Sequence, residues 1–338
     1  MNLRPPILLL AASAALASAG EWSIKATLAP EKSVIMVGEP TFLTYSLENT
    51  GDSDAWVIEG GDYRNELGRP ERFKVSAVDE HGAAARSPKV GVTMGGFVTS
   101  VKIPAHGKYT AELFLPAWAI FEKPGLYILS AKRTLNLSRK SSNFDERNTA
   151  AVPTGVSCEL LVVSTNHERM GALIDHLAAS MLGPNSDASE RSTTMLTAIR
   201  DERTIPCLVK AAESSNYSLR FQALRALAHY NSDTALAALE KGLSARSGDM
   251  ASAPVDDTLA ENIRACAANS LRDSAHPGAH AVLLAHRHDP TFAVRLTAVH
   301  LLGATNTEEA SAMLREMSDD SNERVRNEAR RYLRERQK

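Results

Sequence analysis

The sequence is poor in cysteine, in aromatic residues and in net charge of either sign. Three cysteines in 338 residues are too few for a disulfide framework, so packing has to hold the core. A balance of 38 Lys plus Arg against 40 Asp plus Glu leaves a formal net charge of −2. That balance lacks the basic excess of a nucleic-acid binder, and no acidic or basic tail interrupts it. The longest apolar run, from Ile7 to Ala17, holds eleven residues, well short of the ~20 needed to cross a bilayer. No phosphate-binding glycine loop, dinucleotide fingerprint, nucleophile elbow or His-Glu-x-x-His motif occurs, which removes the readily recognised enzyme classes. What is present is 43% hydrophobic and 23% charged, a globular composition with length enough for two domains.

The first residues place one cation, Arg4, before the apolar run and end in Ala17-Ser18-Ala19. This is the pattern of a secretory signal peptide over residues 1–19, with a mature chain expected from Gly20. No cysteine follows the small residues, so a lipid anchor lacks its attachment thiol. The expected location is periplasmic or secreted, in a bacterium.

Of the 18 aromatic residues, 13 precede residue 166, including all three Trp. Strand grammar gives way to helix grammar near Ser164. Residues 20–165 carry eight short β-rich segments between turn signals: 23–28, 41–48, 55–59, 72–78, 98–103, 109–115, 126–132 and 156–163. In the second of these Leu43, Tyr45 and Leu47 alternate with polar neighbours and so share one face, and Asn49-Thr50-Gly51-Asp52 supplies the turn. Pro124-Gly125 makes another turn before the strand starting near Tyr127. Seven or eight antiparallel strands suit a β-sandwich. Residues 79–97 and 138–155 read as long polar or Gly-rich loops, which serve as mobile decoration or as binding surfaces. The strings VGEP…L-T-Y-S-L-E-N-T-G and P-G-L-Y-I-L resemble the immunoglobulin-like sandwich modules of exported bacterial proteins.

Residues 166–338 contain an internal repeat. Four segments each carry an apolar residue, an Arg, then Ala three and Leu seven positions on: Leu219/Arg220/Ala223/Leu227, Ile263/Arg264/Ala267/Leu271, Val294/Arg295/Ala298/Leu302 and Val325/Arg326/Ala329/Leu333. At about 100° per residue the apolar, Ala and Leu positions lie within roughly 80° of one another, one buried helix face. Each such helix follows another amphipathic one, at 205–213, 234–243, 279–287 and 308–317, and 171–182 with 188–202 reads as a fifth, worn pair. Helix pairs at a fixed step mean an all-α solenoid of about five pairs. The repeat arginines stand 44, 31 and 31 residues apart, so the second unit holds an insertion, at 242–257, that must bulge from one edge.

The quartets resemble HEAT repeats, in particular the short HEAT-like repeats named after phycobilisome lyases, in which an Asp precedes the Val-Arg. Asp289 and Asp320 stand six before their Arg; Ser214 and Thr258 occupy that position in the first two units, with Asp257 beside Thr258. The resemblance implies a structural ladder in which Arg220, Arg264, Arg295 and Arg326 pair with such acids rather than bind a ligand. It further implies that the second helix of each pair lines the concave side of the solenoid. Counted from the repeat Arg, positions +2 and +5 fall at about 200° and 140°. The +5 column reads Arg225, Asn269, His300, Arg331 and the +2 column Gln222, Cys266, Thr297, Glu328; both are candidates for a partner-binding face.

Other chemistry is thin. His276, His280, His286, His288 and Asp289 crowd together, but the first two stand at a helix start and the next two near its end, more than a turn apart, so no metal site is expected. Cys158, Cys207 and Cys266 sit in apolar contexts typical of inert thiols, and a Cys207–Cys266 bridge stays open. The arginines of the last helix interleave with Glu323, Glu328 and Glu335, which suits a solvated cap helix. The chain therefore reads as an immunoglobulin-like sandwich followed by a HEAT-like solenoid: an exported, non-catalytic, cofactor-free scaffold that binds protein through the concave face and the sandwich loops, without nucleic acid. The alternatives are a protease inhibitor or periplasmic ligand carrier acting through the sandwich, and a lyase-type or enzyme-accessory role implied only by the repeat family.

Overall fold

A computed structural model of the chain describes residues 15–19, 22–60, 63–64, 69–70, 72–88, 94–95, 98–139, 149–183, 185–249 and 257–337. The chain forms two compact units, one ending at Met170 and one running from Gly171 to Lys338. The expected leader lies outside the described residues up to position 14.

The first unit is strand-rich. One antiparallel sheet has the order β1 (Ala15–Ala19), β2 (Trp22–Pro30), β4 (Phe42–Asn49), β10 (Lys108–Phe114). The larger sheet has the order β3 (Val34–Met36), β12 (Ala150–Val163), β11 (Gly125–Ser138), β5 (Ala55–Gly60), β9 (Val98–Ile103), with β7 (Lys74–Asp79) also on β11. A ribbon of β6 (Tyr63–Arg64) and β8 (Met94–Gly95) stands apart. The alternation read in the sequence places Leu43, Tyr45 and Leu47 in the core with no exposed surface. They meet the inward row of the other sheet, and Tyr45 Oη lies 2.7 Å from Thr154 Oγ1, which donates to Arg133 O at 2.9 Å. The two sheets thus pack face to face. The turn after β4 forms as the sequence suggests: Asn49 Nδ2 donates to the carbonyls of Ser53 and Ile103, and its Oδ1 accepts from Gly51 N.

All eight expected strands form, but β11 and β12 are each 14 residues long. The expected loop 138–155 is therefore corrected to a shorter one, because 150–155 continue the ladder against Lys132–Leu137. The inward-facing partners Arg133 and Thr154 are polar, and they break the apolar period that would have revealed the strand ends. The three-residue β3 pairs parallel to the end of β12, Val34 with Leu161 and Met36 with Val163. It is held in place by the turn that follows. There Gly38 takes φ +80°, a conformation open to glycine, and the buried Glu39 carboxylate accepts from Met36 N at 3.0 Å and Lys32 Nζ at 2.7 Å.

The second unit, with α1 leading into it, has ten described helices in five pairs: α1 (His167–Met181) with α2 (Ser186–Ala198), α3 (Ile205–Ala212) with α4 (Tyr217–Leu227), α5 (Asp233–Leu243) with α6 (Thr258–Arg272), α7 (Ala279–Ala285) with α8 (Phe292–Ala304), and α9 (Glu308–Met317) with α10 (Glu323–Glu335). Asparagines start several second helices: Asn185, Asn216 and Asn322 accept backbone N–H groups of the first turn, which satisfies donors left over there. The leading apolar residues and the alanines of the quartets are buried, as are Leu227, Leu271 and Leu302, and Ala223, Ala267, Ala298 and Ala329 have no exposed surface. Leu333 of the last quartet is half-buried. Helix α5 packs closely on its neighbours: a Cβ on Gly242 would lie 2.9 Å from Ala267 Cβ and 3.0 Å from Leu224 Cδ2.

Candidate functional site

The repeat arginines come first because they position the helices that carry the surface. Arg295 forms a two-pronged pair with Asp320 of the next repeat, Nε to Oδ2 and Nη2 to Oδ1, both at 2.8 Å. Its remaining Nη1 donates to the Asp289 and Pro290 carbonyls of its own entry loop at 2.8 and 3.0 Å. Arg264 reaches Asp289 with Nη2 alone, leaving its Nε without a hydrogen-bond partner, and Arg326 makes the loop contacts to Asp320 O and Ser321 O. Asp289 and Asp320 also accept the N–H two residues on, from Thr291 and Asn322. One carboxylate thus fixes its own loop and the helix of the preceding repeat. Burial opposes ionisation of Asp320, but the Arg295 guanidinium wins and holds its carboxyl below the ordinary 3.8.

The insertion completes this ladder where the sequence lacks the acid. The Ser247–Asp249 turn brings Asp249 Oδ2 to 3.6 Å from Arg220 Nη1, and the Arg220 side chain is almost fully buried. Asp249, rather than the neighbouring Asp257, stands in for the missing residue at position 258.

The two candidate columns part company. The +2 column does not line an open face: Thr297 is buried, as is Cys266, and Gln222 and Glu328 are half-buried. Cys266, Thr297 and Glu328 look sideways toward the preceding second helix, Cys266 Sγ reaching Phe221 O at 3.5 Å. Thr297 Oγ1 stands 3.4 Å from Asn269 Oδ1, and Glu328 Oε1 stands 3.5 Å from His300 Nδ1. The buried arc is centred at about 300°, so a position at about 200° lies on the flank and the true opposite is about 120°. Position +4 lies on the other flank: Leu224, Ala268 and Val299 are buried, and Arg330 is exposed.

The open face is formed by +5 together with +1, a column the sequence reading missed. The +1 residues are Phe221, Ala265, Leu296 and Asn327, the first three half-buried. Phe221 is joined by Tyr217, ring centroids 5.8 Å apart, and Leu296 by half-buried Phe292 one turn earlier. The signal was available, since +1 falls at about 100° on the same wheel. Along +5, Arg225 is half-buried, Asn269 exposed and His300 half-buried. Arg331 is engaged within its own helix by Glu328 at 2.5 Å and Glu335 at 2.7 Å. Burial lowers the His300 pKa, and Arg272 and Arg331 add to this against the opposing pull of Glu328.

The histidines of the 276–289 stretch have separate partners. His276 meets Asp233 at 3.0 Å, His280 donates to Arg272 O at 2.9 Å, and His288 meets Glu316 at 3.0 Å. Among the described residues no three His, Cys, Asp or Glu side chains converge as a metal site would require. The open question of a Cys207–Cys266 bridge is settled against it: all three cysteines are free and buried, and Cys207 Sγ donates to Thr204 O in its own chain turn. Burial pushes the Cys158 thiol up to about 12. In the first unit, residues 89–93, 96–97 and 140–148 of the candidate binding loops lie outside the described residues. No described helix is long and apolar enough to cross a membrane.

Residues 173–253 and 257–334 match the family model for HEAT repeats. No functionally curated protein matches the chain. Among solved structures, human deoxyhypusine hydroxylase in complex with glycerol is similar at 20% identity over 38% of this chain, TM-score 0.31; the match spans 42% of that enzyme's chain. An engineered protein is similar at 19% identity over 48% of this chain and 78% of its own, TM-score 0.28. A CARDB domain from Pyrococcus furiosus, in complex with di-metal ions, is similar at 12% identity over 42% of this chain and 90% of its own, TM-score 0.20. The C-terminal half of the chain, residues 173–334, is a HEAT-repeat region.

Proposed function

We propose that the HEAT-repeat unit is a protein-docking scaffold that uses the open face of its second helices, and that the chain is exported and non-catalytic. HEAT repeats commonly mediate protein interactions, and the observation that carries the reading is the +1/+5 face. Partly exposed Phe221 and Leu296, with Tyr217 and Phe292 beside them, form an apolar row bordered by Arg225, Asn269 and His300. A row of aromatic and aliphatic side chains with a polar margin is the anatomy of an interface core and rim. The test is a cross-linking pull-down from an envelope extract with the parent chain and a Phe221→Ser/Leu296→Ser variant whose helical circular dichroism matches the parent. The reading expects a partner captured by the parent and lost by the variant; equal capture by both overturns it.

The strand-rich unit fits an immunoglobulin-like sandwich. Two features support this: the parallel β3–β12 pair beside an otherwise antiparallel sheet, and Tyr127 Oη donating to Lys123 O at 3.0 Å just before its strand. The second is the tyrosine corner found in such modules. Export rests on the Arg4, apolar and Ala17-Ser18-Ala19 pattern. Amino-terminal sequencing of the cell-envelope protein is expected to begin at Gly20, and an intact Met1 would contradict it.

A further inference from the structure

The interior of the strand-rich unit contains a charge cluster that the docking role does not use. Arg133 faces inward from β11 between Ala131 and Leu135, with 1% of its side chain exposed. Its Nη2 stands 2.6 Å from Glu59 Oε1, at an angle that makes a charge contact rather than an aligned hydrogen bond, and Arg72 pairs with Glu59 Oε2. The guanidinium also lies over the Phe73 ring, 4.9 Å from its centroid. Two guanidinium groups therefore share one carboxylate, and the Glu59 and Arg72 side chains are only 12% and 14% exposed. Burying such a group without a full set of partners carries a large desolvation penalty.

Beside this cluster a cleft of about 480 Å³ opens between β10 on one sheet and β5 and β9 on the other. That volume lies within the range of small-molecule sites. Glu59, Arg72 and Phe73 line it, with Tyr109, Phe114 and Trp118 as its aromatic walls. Within its lining, Trp118 Nε1 is a buried donor with no hydrogen-bond partner, and behind the lining residues Glu59 and Phe73 the Nε and Nη1 of Arg133 are likewise unpartnered. Against them stands a single unpartnered acceptor of the cluster, Glu59 Oε1. A further cation, Arg69, lies 5.9 Å over the Trp118 ring, and Glu112 supplies a carboxylate on the solvent side.

We propose that this cleft binds a small organic anion, a carboxylate on an aromatic or other apolar body. At the inner end, Arg72 in the lining and Arg133 behind it face the single carboxylate of Glu59, and Trp118 adds an unpartnered N–H; together these favour an acceptor-rich anion over a cation there, and the ring-lined walls take the apolar body. This assignment is independent of the role of the helical unit.

The test titrates the full chain with benzoate, benzyl alcohol and benzylamine, followed by calorimetry and by tryptophan emission. The expected result is saturable benzoate binding, at least roughly tenfold tighter than benzyl alcohol, a difference of about 1.4 kcal/mol, with no binding of benzylamine. Ala111→Leu, which fills the cleft without touching a charge, is expected to abolish binding. Arg133→Met is expected to lose benzoate selectivity. Should that variant fail to fold by circular dichroism, Trp118→Phe, which keeps the ring and removes the N–H, is expected to weaken benzoate several-fold. The proposal is overturned by absence of saturable benzoate binding to the parent, by equal affinity for benzoate and benzyl alcohol, or by preference for benzylamine. It is equally overturned if Ala111→Leu, or folded Arg133→Met, or Trp118→Phe in its place, binds benzoate as the parent does.

Discussion

Asp320→Asn isolates the inter-repeat ladder better than any other substitution, because it removes charge while keeping shape. In the native protein Asp320 accepts two 2.8 Å bonds from Arg295 and one of 2.7 Å from Asn322 N. The pair is largely buried, at 11% and 10% side-chain exposure. Breaking a fully buried ion pair from one side costs about 3–5 kcal/mol. Two features reduce that here: the asparagine oxygen still accepts from Asn322, and Arg295 keeps the Asp289 and Pro290 carbonyls. The expected loss is about 2 kcal/mol, or roughly 4–8 °C in melting temperature for a unit of this size. All three tryptophans, Trp22, Trp56 and Trp118, lie in the strand-rich unit, whereas helical circular dichroism reports the repeats. The dichroism transition is expected to shift and the tryptophan transition to stay where it was. The pH dependence has a definite sign. Because Arg295 holds the folded carboxyl below 3.8, the pair's contribution is complete above that value and disappears as pH falls through the folded one. The gap between parent and variant is then constant near neutrality and closes in acid. A double-mutant cycle with Arg295→Met giving a coupling under about 0.5 kcal/mol would refute the ladder as an energetic element.

Further expectations follow from close contacts elsewhere. Gly242→Ala puts a methyl 2.9 Å from Ala267 Cβ and is expected to destabilise the helical unit by about 1 kcal/mol, even though Ala is the better helix former; a rise in the dichroism melting temperature would contradict it. Tyr127→Phe removes the bond to Lys123 O and is expected to cost about 1 kcal/mol, read from tryptophan emission during urea unfolding. A thiol reagent is expected to react slowly with the native chain and with all three cysteines in denaturant without reductant; only one reactive thiol there would indicate a bridge.

The fold was legible where a side chain's period matched its burial. Leu43, Tyr45 and Leu47 declared a strand face, and the Val-Arg…Ala…Leu quartets declared helix pairs, because in both cases packing repeats at the spacing of the backbone. Legibility failed where polar residues occupy the core. Arg133 and Thr154 disguised the ends of the two longest strands, and the Glu59–Arg72–Arg133 cluster joins residues from three distant segments that no spacing connects. The reading of the +2 column met a geometric limit. A helix in a stacked array has two flanks as well as a buried and an open side, so the +2 column, polar in sequence, packs against the preceding helix. Arg220 shows the same limit: its acid comes from Asp249, inside an insertion that looked like a simple bulge.

The central claim, that partners dock on the open face of the second helices, is tested most directly by site-specific photo-cross-linking in the source cell. A photoreactive residue replaces Phe221 or Leu296 on that face, and Lys241 or Glu309 on exposed positions of first helices serves as control. The account predicts the same partner adduct from positions 221 and 296 and none from 241 and 309. Adducts from the control positions alone, or from all four equally, would contradict it.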